Sequence, residues 1–490
     1  DLLEEFEGKK YKISDVPPED KETYSMIQKA DTLGVFQIES RAQMAMLPRL
    51  KPACFYDLVI EIAIIRPGPI QGDMVHPYLR RRKGEEEVSY PNEEVKRVLK
   101  RTLGIPLFQE QVIKLAVVAA GFSPGEAEVL RRSITSWNQD NVIENFSTKL
   151  IDGMIGKGYE KDFAEGIFNQ IKGFGEYGFP ESHAASFALL AYISCWLKCH
   201  KQAAFTVALL NSQPMGFYSP SQLISDAIAH NVEVRPFDIT KSDWDSKLEA
   251  TTAGQAAIRL GLRLIKGVEK KYVKQIVEAR SKKQFKNMRE FKGLPFNSAD
   301  RVSTLAYAGA FNNLVAGNRF HAVWEAILPS KGIMFDGDMN GEEAIPMLRP
   351  PTESEGVLID YKTSGFSLGS HPVKFVRDRL SSKFYKTASQ LKKVSNGSVV
   401  EVIGLVISRQ RPQTAAGIIF VTLEDESGLV NLIVWPSVTD VFEDILNNAK
   451  ILSVIGKVQK EGIVVNLIAQ ELFDYTAEIG ELDASSRDFK

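Results

Sequence analysis

A histidine near the middle of the chain opens a long apolar segment, in the stretch ESHAASFALLAYISCWLKCH of residues 181–200. His183 could serve as an acid or base, ligate a metal, lie beside a phosphate at a helix N-terminus, or pack in a core. Because Ser182 directly precedes it, we expect that serine to cap the helix. His183, Phe187 and Leu190 are then spaced to share one helical face.

Two pairs of aspartates have the D-x-D spacing with which nucleotidyl transferases hold paired metal ions. They are Asp243 and Asp245 in SDWDSKLE, and Asp336 and Asp338 in FDGDMNG. Neither pair follows a buried strand that would hold carboxylates rigidly around two ions about 4 Å apart. The sequence therefore favours polar loops at both places.

Two cysteines, Cys195 and Cys199, are one helical turn apart, and His200 is adjacent to the second. Zinc usually takes four ligands, and no second Cys-x-x-Cys or His-x-x-x-His is present in the sequence. We therefore predict structural cysteines and no metal bound by this chain. Together with Cys54 they cannot form a disulfide framework, which favours a reducing, cytoplasmic compartment.

An arginine pair, Arg131 and Arg132, lies in the predicted helix EAEVLRRSI. Adjacent helical positions point about 100° apart, so one side chain can face a cleft while the other braces it. Guanidinium groups bind phosphate with two parallel hydrogen bonds. A phosphate site and an ordinary surface ion pair are both compatible with this pattern.

Basic residues are concentrated in one region although the net charge is only −2. Residues 259–292 contain 12 Lys and Arg against 3 Glu. Within them, LIKGVEKKYVKQIVEAR is similar to a helix-hairpin-helix element. A turn at Gly267 and a helix carrying Lys270, Lys271 and Lys274 would bind DNA phosphates without reading sequence. Glu269 stands where a second glycine is usual, and LAYAGAFNNL at 305–314 is a weaker candidate of the same kind.

The surrounding elements are mostly helical up to residue 328, with apolar positions at helical spacing in FYDLVIEIAII, EQVIKLAVVAA and SFALLAYISCWL. No apolar run reaches membrane-spanning length. From residue 397 the pattern becomes strand–strand–strand–helix–strand–strand, which is typical of the OB-fold barrel. Phe420 and Trp435 could stack on single-stranded bases there, or belong to the barrel core.

Several long segments, in order, resemble the fingers region of the bacterial C-family DNA polymerases, the alpha subunit of DNA polymerase III. They are GVFQIESRAQMAMLPRLKP, IIRPGPIQGDMVHPYLRRRKG, GIPLFQEQVIKLA, GEAEVLRRS and GFGEYGFPESHAASFALLAYISCWLKCH. The later LNSQPMGFYSPSQLISDAIAHNVEVRPFDI and YKTSGFSLGSHPV continue that family's C-terminal order. Within the family, LNSQPMGFY and HPYLRRRKG most resemble the error-prone branch.

The resemblance implies a multidomain fold with mostly α-helical fingers and helix-hairpin-helix regions, followed by a small all-β OB-fold barrel. The implied domains are 1–30 end of palm and connector, 31–211 fingers, 212–328 helix-hairpin-helix, 329–390 linker and connector, 391–476 OB-fold, and 477–490 tail.

The activity implied by the resemblance is that of an error-prone DNA-directed DNA polymerase acting in damage-induced mutagenesis and translesion synthesis. Such enzymes transfer a nucleotidyl group to a primer 3′-hydroxyl with two Mg²⁺ ions held by palm aspartates. Those aspartates would lie upstream of Asp1. We therefore expect no catalytic residue and no Mg²⁺ site in this chain, and no polymerisation by it alone.

The residue roles implied by the resemblance concern nucleotide and DNA. Arg131 and Arg132 would bind the incoming deoxynucleoside triphosphate, and Arg66 and Gln109 would help to position it. Ser182 and His183 would approach its phosphates, while Phe187 would pack against the nascent base pair.

Template-primer DNA is the second implied ligand, gripped by the helix-hairpin-helix lysines. Met334 and Phe335, in SKGIMFDG, occupy the place of a clamp-binding peptide, without its usual Gln. The sliding clamp and mutagenesis accessory proteins are the further partners that the resemblance suggests. Two rival interpretations are a non-catalytic DNA-binding scaffold and an OB-containing enzyme with Asp243 and Asp245 as metal ligands.

Overall fold

The computed structural model of this chain describes residues 1–66, 74–134, 140–173, 179–215, 218–315, 318–328, 348–380, 385–412, 415, 417–461, 464–480, 482–484 and 486–489. They form two compact units. The first is Tyr11–Lys201, and the second combines Asp1–Lys10 with Gln202–Lys490.

Most of the described chain before residue 392 is helical, as the sequence predicts. The helices of the first unit, numbered after α1 (Leu2–Glu7) of the second, are α2 (Lys21–Gln28), α3 (Arg41–Leu50), α4 (Phe55–Ile64), α5 (Val75–Lys83), α6 (Glu93–Leu99), α7 (Gln109–Val118), α8 (Pro124–Ile134), α9 (Asp140–Gly156), α10 (Lys161–Gly173) and α11 (Glu181–His200). Those of the second unit are α12 (Gln202–Asn211), α13 (Pro220–Ala229), α14 (Lys270–Lys282), α15 (Met288–Lys292), α16 (Ala299–Tyr307), α17 (Arg319–Ile327), α18 (Glu353–Thr363), α19 (Pro372–Leu380), α20 (Ala388–Leu391) and α21 (Pro436–Asn448).

The first unit is built around α4, whose residues 57–64 are all buried. Helix α11 packs across α4 and α2. A bidentate ion pair fixes α5 to α4, because Arg82 donates to both Asp57 carboxylate oxygens at 2.7 Å. The same guanidinium donates to the carbonyl of Leu50 at 2.6 Å. Burial alone would raise the pKa of Asp57, but the Arg82 hydrogen bonds outweigh it and lower that pKa.

The second unit contains a small sheet that the sequence analysis did not predict, since residues 219–328 were expected to be helical. Its strands are β1 (Val234–Arg235), β2 (Lys247–Ala250) and β3 (Ala256–Arg259), in the order β1-β3-β2. Strand β2 pairs with β3 antiparallel across a tight turn at Gly254, and β1 pairs with β3 in parallel.

A cross-strand ion-pair network supports this sheet. Glu249 accepts hydrogen bonds from Arg259 at 2.9 Å and from Arg235 at 2.8 Å. Partial burial alone would raise the pKa of Glu249, but these two arginines lower it to about 2. Alternating charged and apolar residues in KLEA were the available strand signal, and the segment is too short for that signal to stand out.

Helices α18 and α19 lie within the stretch that the sequence analysis assigns to a linker and connector. They pack against the barrel that follows, with Val357, Tyr361, Val373 and Val376 buried against Ile403 and its neighbours. Residues 353–380 therefore contribute to a core beside the barrel, and α18 also contacts the hairpin region, since Arg319 pairs with Asp360 at 2.7 Å.

The C-terminal strands form a closed barrel, and the predicted OB-fold order is confirmed. Its strands are β4 (Val399–Gln410), β5 (Ile419–Asp425), β6 (Gly428–Val434), β7 (Ile451–Glu461) and β8 (Val464–Asp474), with α21 between β6 and β7. Their order is β5-β6-β8-β7-β4, and pairing of β4 with β5 closes the ring; β9 (Arg487–Phe489) adds to β4 in parallel. A register shift after Val406 lets the long β4 pair with β7 and then with β5.

Close backbone approach in the barrel requires glycine at Gly456, beside the register shift of β7 against β8. A Cβ atom there would lie 2.4 Å from the carbonyl oxygen of Ile468, and backbone in a paired strand cannot move aside easily. The glycine therefore allows β7 and β8 to approach closely at this point.

We predict that Gly456→Ala lowers the free energy of unfolding by about 1–3 kcal/mol, because it overpacks the strand pair. Gly356→Ala is the matched control: this glycine lies within α18, and an added Cβ would meet nothing within 4 Å. The control should be neutral or stabilising by up to about 1 kcal/mol. Urea unfolding followed by circular dichroism measures both, and equal stability of the two variants would contradict the steric argument.

Candidate nucleic-acid interface

A continuous row of side chains lines the N-terminal end of α11. The Arg66 guanidinium carbon lies 3.5 Å from the Phe179 ring centroid. The rings of Phe179 and His183 meet edge to face at 5.1 Å, and those of His183 and Phe187 at 4.5 Å. Phe36 extends the row, with its ring 5.5 Å from that of Phe187. We call these five residues the aromatic row.

The aromatic row is accessible over part of its length. Phe36 is 48% exposed and His183 is exposed, whereas Phe179 is buried. Burial lowers the pKa of Arg66 from its usual value, and the residue remains a cation because arginine titrates far above neutrality. An aromatic surface with a cation at one end suits a nucleobase and its phosphates.

The start of α11 is held by neighbouring carboxylates, and the predicted Ser182 cap is wrong. Pro180 is the N-cap residue and Ser182 lies inside the first turn. The Glu181 amide donates instead to Glu110 at 3.0 Å. Since a carboxylate supplies this acceptor from another helix, a serine cap is not needed.

Two further contacts fix this helix start. The Tyr56 hydroxyl donates to Glu181 at 2.9 Å, and Arg101 donates to the same oxygen at 3.2 Å. Burial and then the Glu181 hydrogen bond raise the pKa of Tyr56. The backbone amide of Gln109 donates to the Phe179 carbonyl at 3.2 Å. The Gln109 backbone thereby holds Phe179, a member of the aromatic row, in place. The role of the Gln109 side chain stays a prediction.

The structure thus brings together Arg66, His183 and Phe187 of the predicted nucleotide-binding set, with Ser182 beside them. It adds Phe36 and Phe179, which the sequence analysis did not single out. The available signal for Phe36 was only its aromatic ring in the mixed stretch GVFQIES. Arg132 forms an ion pair with Glu128, one turn away on α8, at 3.1 Å and with its side chain 76% exposed. Arg131 lies in α8, but its side chain is outside the described residues.

The predicted hairpin of the second unit has the expected backbone. Gly267 adopts a left-handed φ of 79° and is exposed, and α14 begins directly after the N-cap residue Glu269. The preceding element is a single 3-10 turn, Leu262–Leu264, rather than a full helix. Tyr272 and Ile276 bury the opposite face of α14.

The three hairpin lysines, Lys270, Lys271 and Lys274, are exposed, and within the described ranges none has an ion-pair partner. Arg301 flanks them, 5.0 Å from the Tyr272 ring and 3.7 Å from Glu269. Arg301 was not among the residues predicted from the sequence. The weaker candidate at 305–314 is largely core, since Leu305, Ala310 and Phe311 are buried.

The two aromatic candidates of the barrel differ in position. Phe420 alternates with the inward Ile419 and Val421, so it lies on the outer face, paired with Gln410 and Ile433 on the neighbouring strands. Trp435 is 47% exposed at the N-terminus of α21. Neither is among the residues of the barrel core, and stacking on bases stays a prediction for both.

The D-x-D pair Asp243 and Asp245 is neutralised by basic side chains. Asp243 bonds Lys247 and Arg280, while Asp245 bonds Arg263 at 2.7 Å. Carboxylates that are already paired with separate basic side chains are poorly placed to bind two metal ions together. Asp336, Asp338, Met334 and Phe335 lie outside the described residues.

Family models of known proteins match three parts of the chain. Residues 1–158 match the family model of the bacterial DNA polymerase III alpha subunit finger domain. Residues 231–322 match a helix-hairpin-helix motif, and residues 400–474 match an OB-fold nucleic acid binding domain.

Curated relatives named error-prone DNA polymerase match along nearly the whole chain. The protein of Alkalilimnicola ehrlichii is 52% identical over 100% of this chain and 48% of its own length. Those of Methylococcus capsulatus and Pseudomonas aeruginosa are each 50% identical, over 99% and 98% of this chain and 48% and 47% of their own lengths. The predicted kinship with the bacterial C-family DNA polymerases is confirmed. This chain spans about half the length of these relatives. In the described part of the chain, no helix combines the length and apolarity needed to cross a membrane.

We predict that replacing Lys270, Lys271 and Lys274 by alanine weakens binding of duplex DNA to the chain. The slope of log affinity against log salt should fall by about 2–3, because each lost phosphate contact removes about 0.9. Fluorescence anisotropy with labelled duplexes of unrelated sequence measures this, and the loss should be similar for every sequence.

The control removes Lys282 and Lys283 at the other end of the hairpin helix, which pair with Glu278 and Glu290. That variant should keep the salt slope within about 0.5 of the original, since its lysines already have partners. A slope unchanged in the triple variant would mean that the hairpin does not touch DNA.

Proposed function

We propose that this chain is the nucleotide- and DNA-binding part of an error-prone DNA polymerase that acts in damage-induced mutagenesis and translesion synthesis. The observation that supports it most is the aromatic row at the start of α11, within a chain about half identical to error-prone polymerases. Deoxynucleoside triphosphates and template-primer DNA are the ligands of this proposal.

The aromatic row receives the nascent base pair in this proposal. Phe187 and Phe36 present apolar ring surface, while Arg66 at the other end stands ready for a phosphate. A base that stacks on an aromatic ring gains about 1–3 kcal/mol with little regard to its identity. Such tolerance is compatible with an enzyme that accepts imperfect pairs.

Duplex and single-stranded DNA are held by the second unit in this proposal. The exposed hairpin lysines bind duplex backbone, and Phe420 and Trp435 offer stacking surfaces to unpaired template. Mg²⁺ supplies charge stabilisation to nucleotidyl transfer when it is bound by carboxylates elsewhere in the polymerase. The ion-paired Asp243 and Asp245 are not its ligands.

The non-catalytic scaffold is the rival that shares every DNA contact with this proposal. It differs in having no use for a nucleotide at the aromatic row. A test on nucleotide selection therefore distinguishes the two, whereas DNA binding alone does not.

We predict that Phe187→Ala, in the polymerase that contains this chain, raises the KM for the incoming nucleotide by about 5–150-fold, the equivalent of one lost stacking contact. Phe187→Tyr should restore most of the loss, because it keeps the ring face. Single-nucleotide primer extension at varied nucleotide concentration measures the effect.

Leu189→Ala is the matched control, since Leu189 is 47% exposed on the same helix but outside the aromatic row. Its KM should stay within about twofold of the original. An unchanged KM in Phe187→Ala would mean that the start of α11 has only a packing role. DNA binding without any primer extension would favour the non-catalytic scaffold.

A further inference from the structure

A second cluster of reactive side chains lies at the opposite end of α11. The side-chain donor atoms of Glu22, Cys199 and His200 all lie within 4.8 Å of one another. The His200 Nδ1 atom is 3.9 Å from a Glu22 carboxylate oxygen. Glu22 comes from the first turn of α2, while Cys199 and His200 end α11, so two packed helices supply the donors.

We propose that these three residues bind Zn²⁺, a borderline-soft divalent metal ion. The site goes beyond nucleotide and DNA binding, and it differs from the sequence prediction that the chain binds no metal. Thiolate, imidazole and carboxylate are the donor types that zinc takes, and three of them leave a fourth position for water. The sulfur donor disfavours Mg²⁺, which prefers oxygen ligands.

The orientation of the His200 ring supports this assignment. Its Nε2 atom lies 2.8 Å from the Asp20 Oδ2 atom, so a proton held there leaves a lone pair on Nδ1, the ring atom that lies 3.9 Å from Glu22. Metal-bound histidines commonly donate their second nitrogen to a carboxylate in this way. The Trp196 ring, 5.2 Å from that of His200, restrains the ring further.

Asp20 is itself fixed and does not need to ligate. Its Oδ2 atom accepts from the Thr23 amide at 2.9 Å and from the Thr23 hydroxyl at 2.6 Å, as N-cap of α2. Without a metal ion, Asp20 and Glu22 lie beside His200 as ion-pair partners, and Thr23 hydrogen-bonds the Cys199 thiol. Ligand atoms around zinc lie about 3.3–3.8 Å apart, so the donors must close by about 1 Å. Partly exposed side chains at helix ends can make that movement.

The cysteines of the chain provide matched controls. Cys195, one turn before Cys199, is fully buried and outside the cluster, as predicted for a structural cysteine. Cys199 is only partly buried, and Cys54 is exposed on another helix start. The pair Cys195 and Cys199 therefore divides into a packing residue and a candidate ligand.

The test titrates the metal-free 490-residue chain with Co²⁺ and then with Zn²⁺. We expect a thiolate-to-cobalt charge-transfer band that saturates at one ion per chain and disappears as Zn²⁺ displaces it. Cys199→Ser should abolish the band and weaken Zn²⁺ binding by at least about 100-fold. Cys54→Ser should leave both unchanged.

A second variant keeps the proposal falsifiable if loss of the thiol disturbs folding. Asp20→Asn retains the helix cap, because Asn caps as well as Asp, but removes the carboxylate behind His200. It should weaken Zn²⁺ binding by about 10–100-fold with an unchanged circular dichroism spectrum. Absence of the band, or Zn²⁺ affinity that is unaffected by Cys199→Ser, would overturn the proposal.

Discussion

Packing of α11 against α4, whose residues 57–64 are buried, is the contact on which both candidate sites depend. The C-terminal half of α11 lies in the core, with Ala191, Cys195 and Trp196 buried. The N-terminal half emerges from it, with Leu189 and Leu190 about half exposed. One rigid helix therefore presents an aromatic row at one end and a metal-binding cluster at the other.

The chemistry of the exposed end of α11 follows from the side chains that form hydrogen bonds with its first turn. Glu110 accepts the Glu181 amide, and Glu181 in turn accepts from Tyr56 and Arg101. Since these carboxylates occupy the helix start, a nucleotide would meet mainly the rings of His183, Phe187 and Phe36. Recognition by ring faces and one cation, rather than by a phosphate-binding helix terminus, is what this geometry favours.

The sequence predicts much of the fold because its patterns are local. The OB-fold order follows from alternating apolar strands with one helix between the third and fourth, and the hairpin follows from Gly267 and the basic helix after it. The small sheet at residues 234–259 was not predicted because its strands are only two to four residues long. Helices α18 and α19 lay in a stretch rich in Pro and acidic residues, and their support comes from apolar contacts with a barrel distant in sequence.

The candidate site was only partly predictable, since its membership is decided by tertiary contacts. His183 and Phe187 could be named from helical spacing, but Phe36 joins them from a loop 151 positions earlier than Phe187. Ser182 fitted the pattern of a cap, and a carboxylate from α7 took that role instead. Spacing also made Cys195 and Cys199 equivalent, although burial separates them.

Hydrogen exchange at the start of α11 tests the central claim most directly. In the polymerase that contains this chain, bound to template-primer, amides of residues 181–190 should gain protection when the complementary deoxynucleoside triphosphate is added. A non-complementary nucleotide should give less protection, and Phe187→Ala should reduce the gain. Protection that is unchanged by any nucleotide, in a complex that still extends primers, would contradict the claim that the aromatic row receives the nascent base pair.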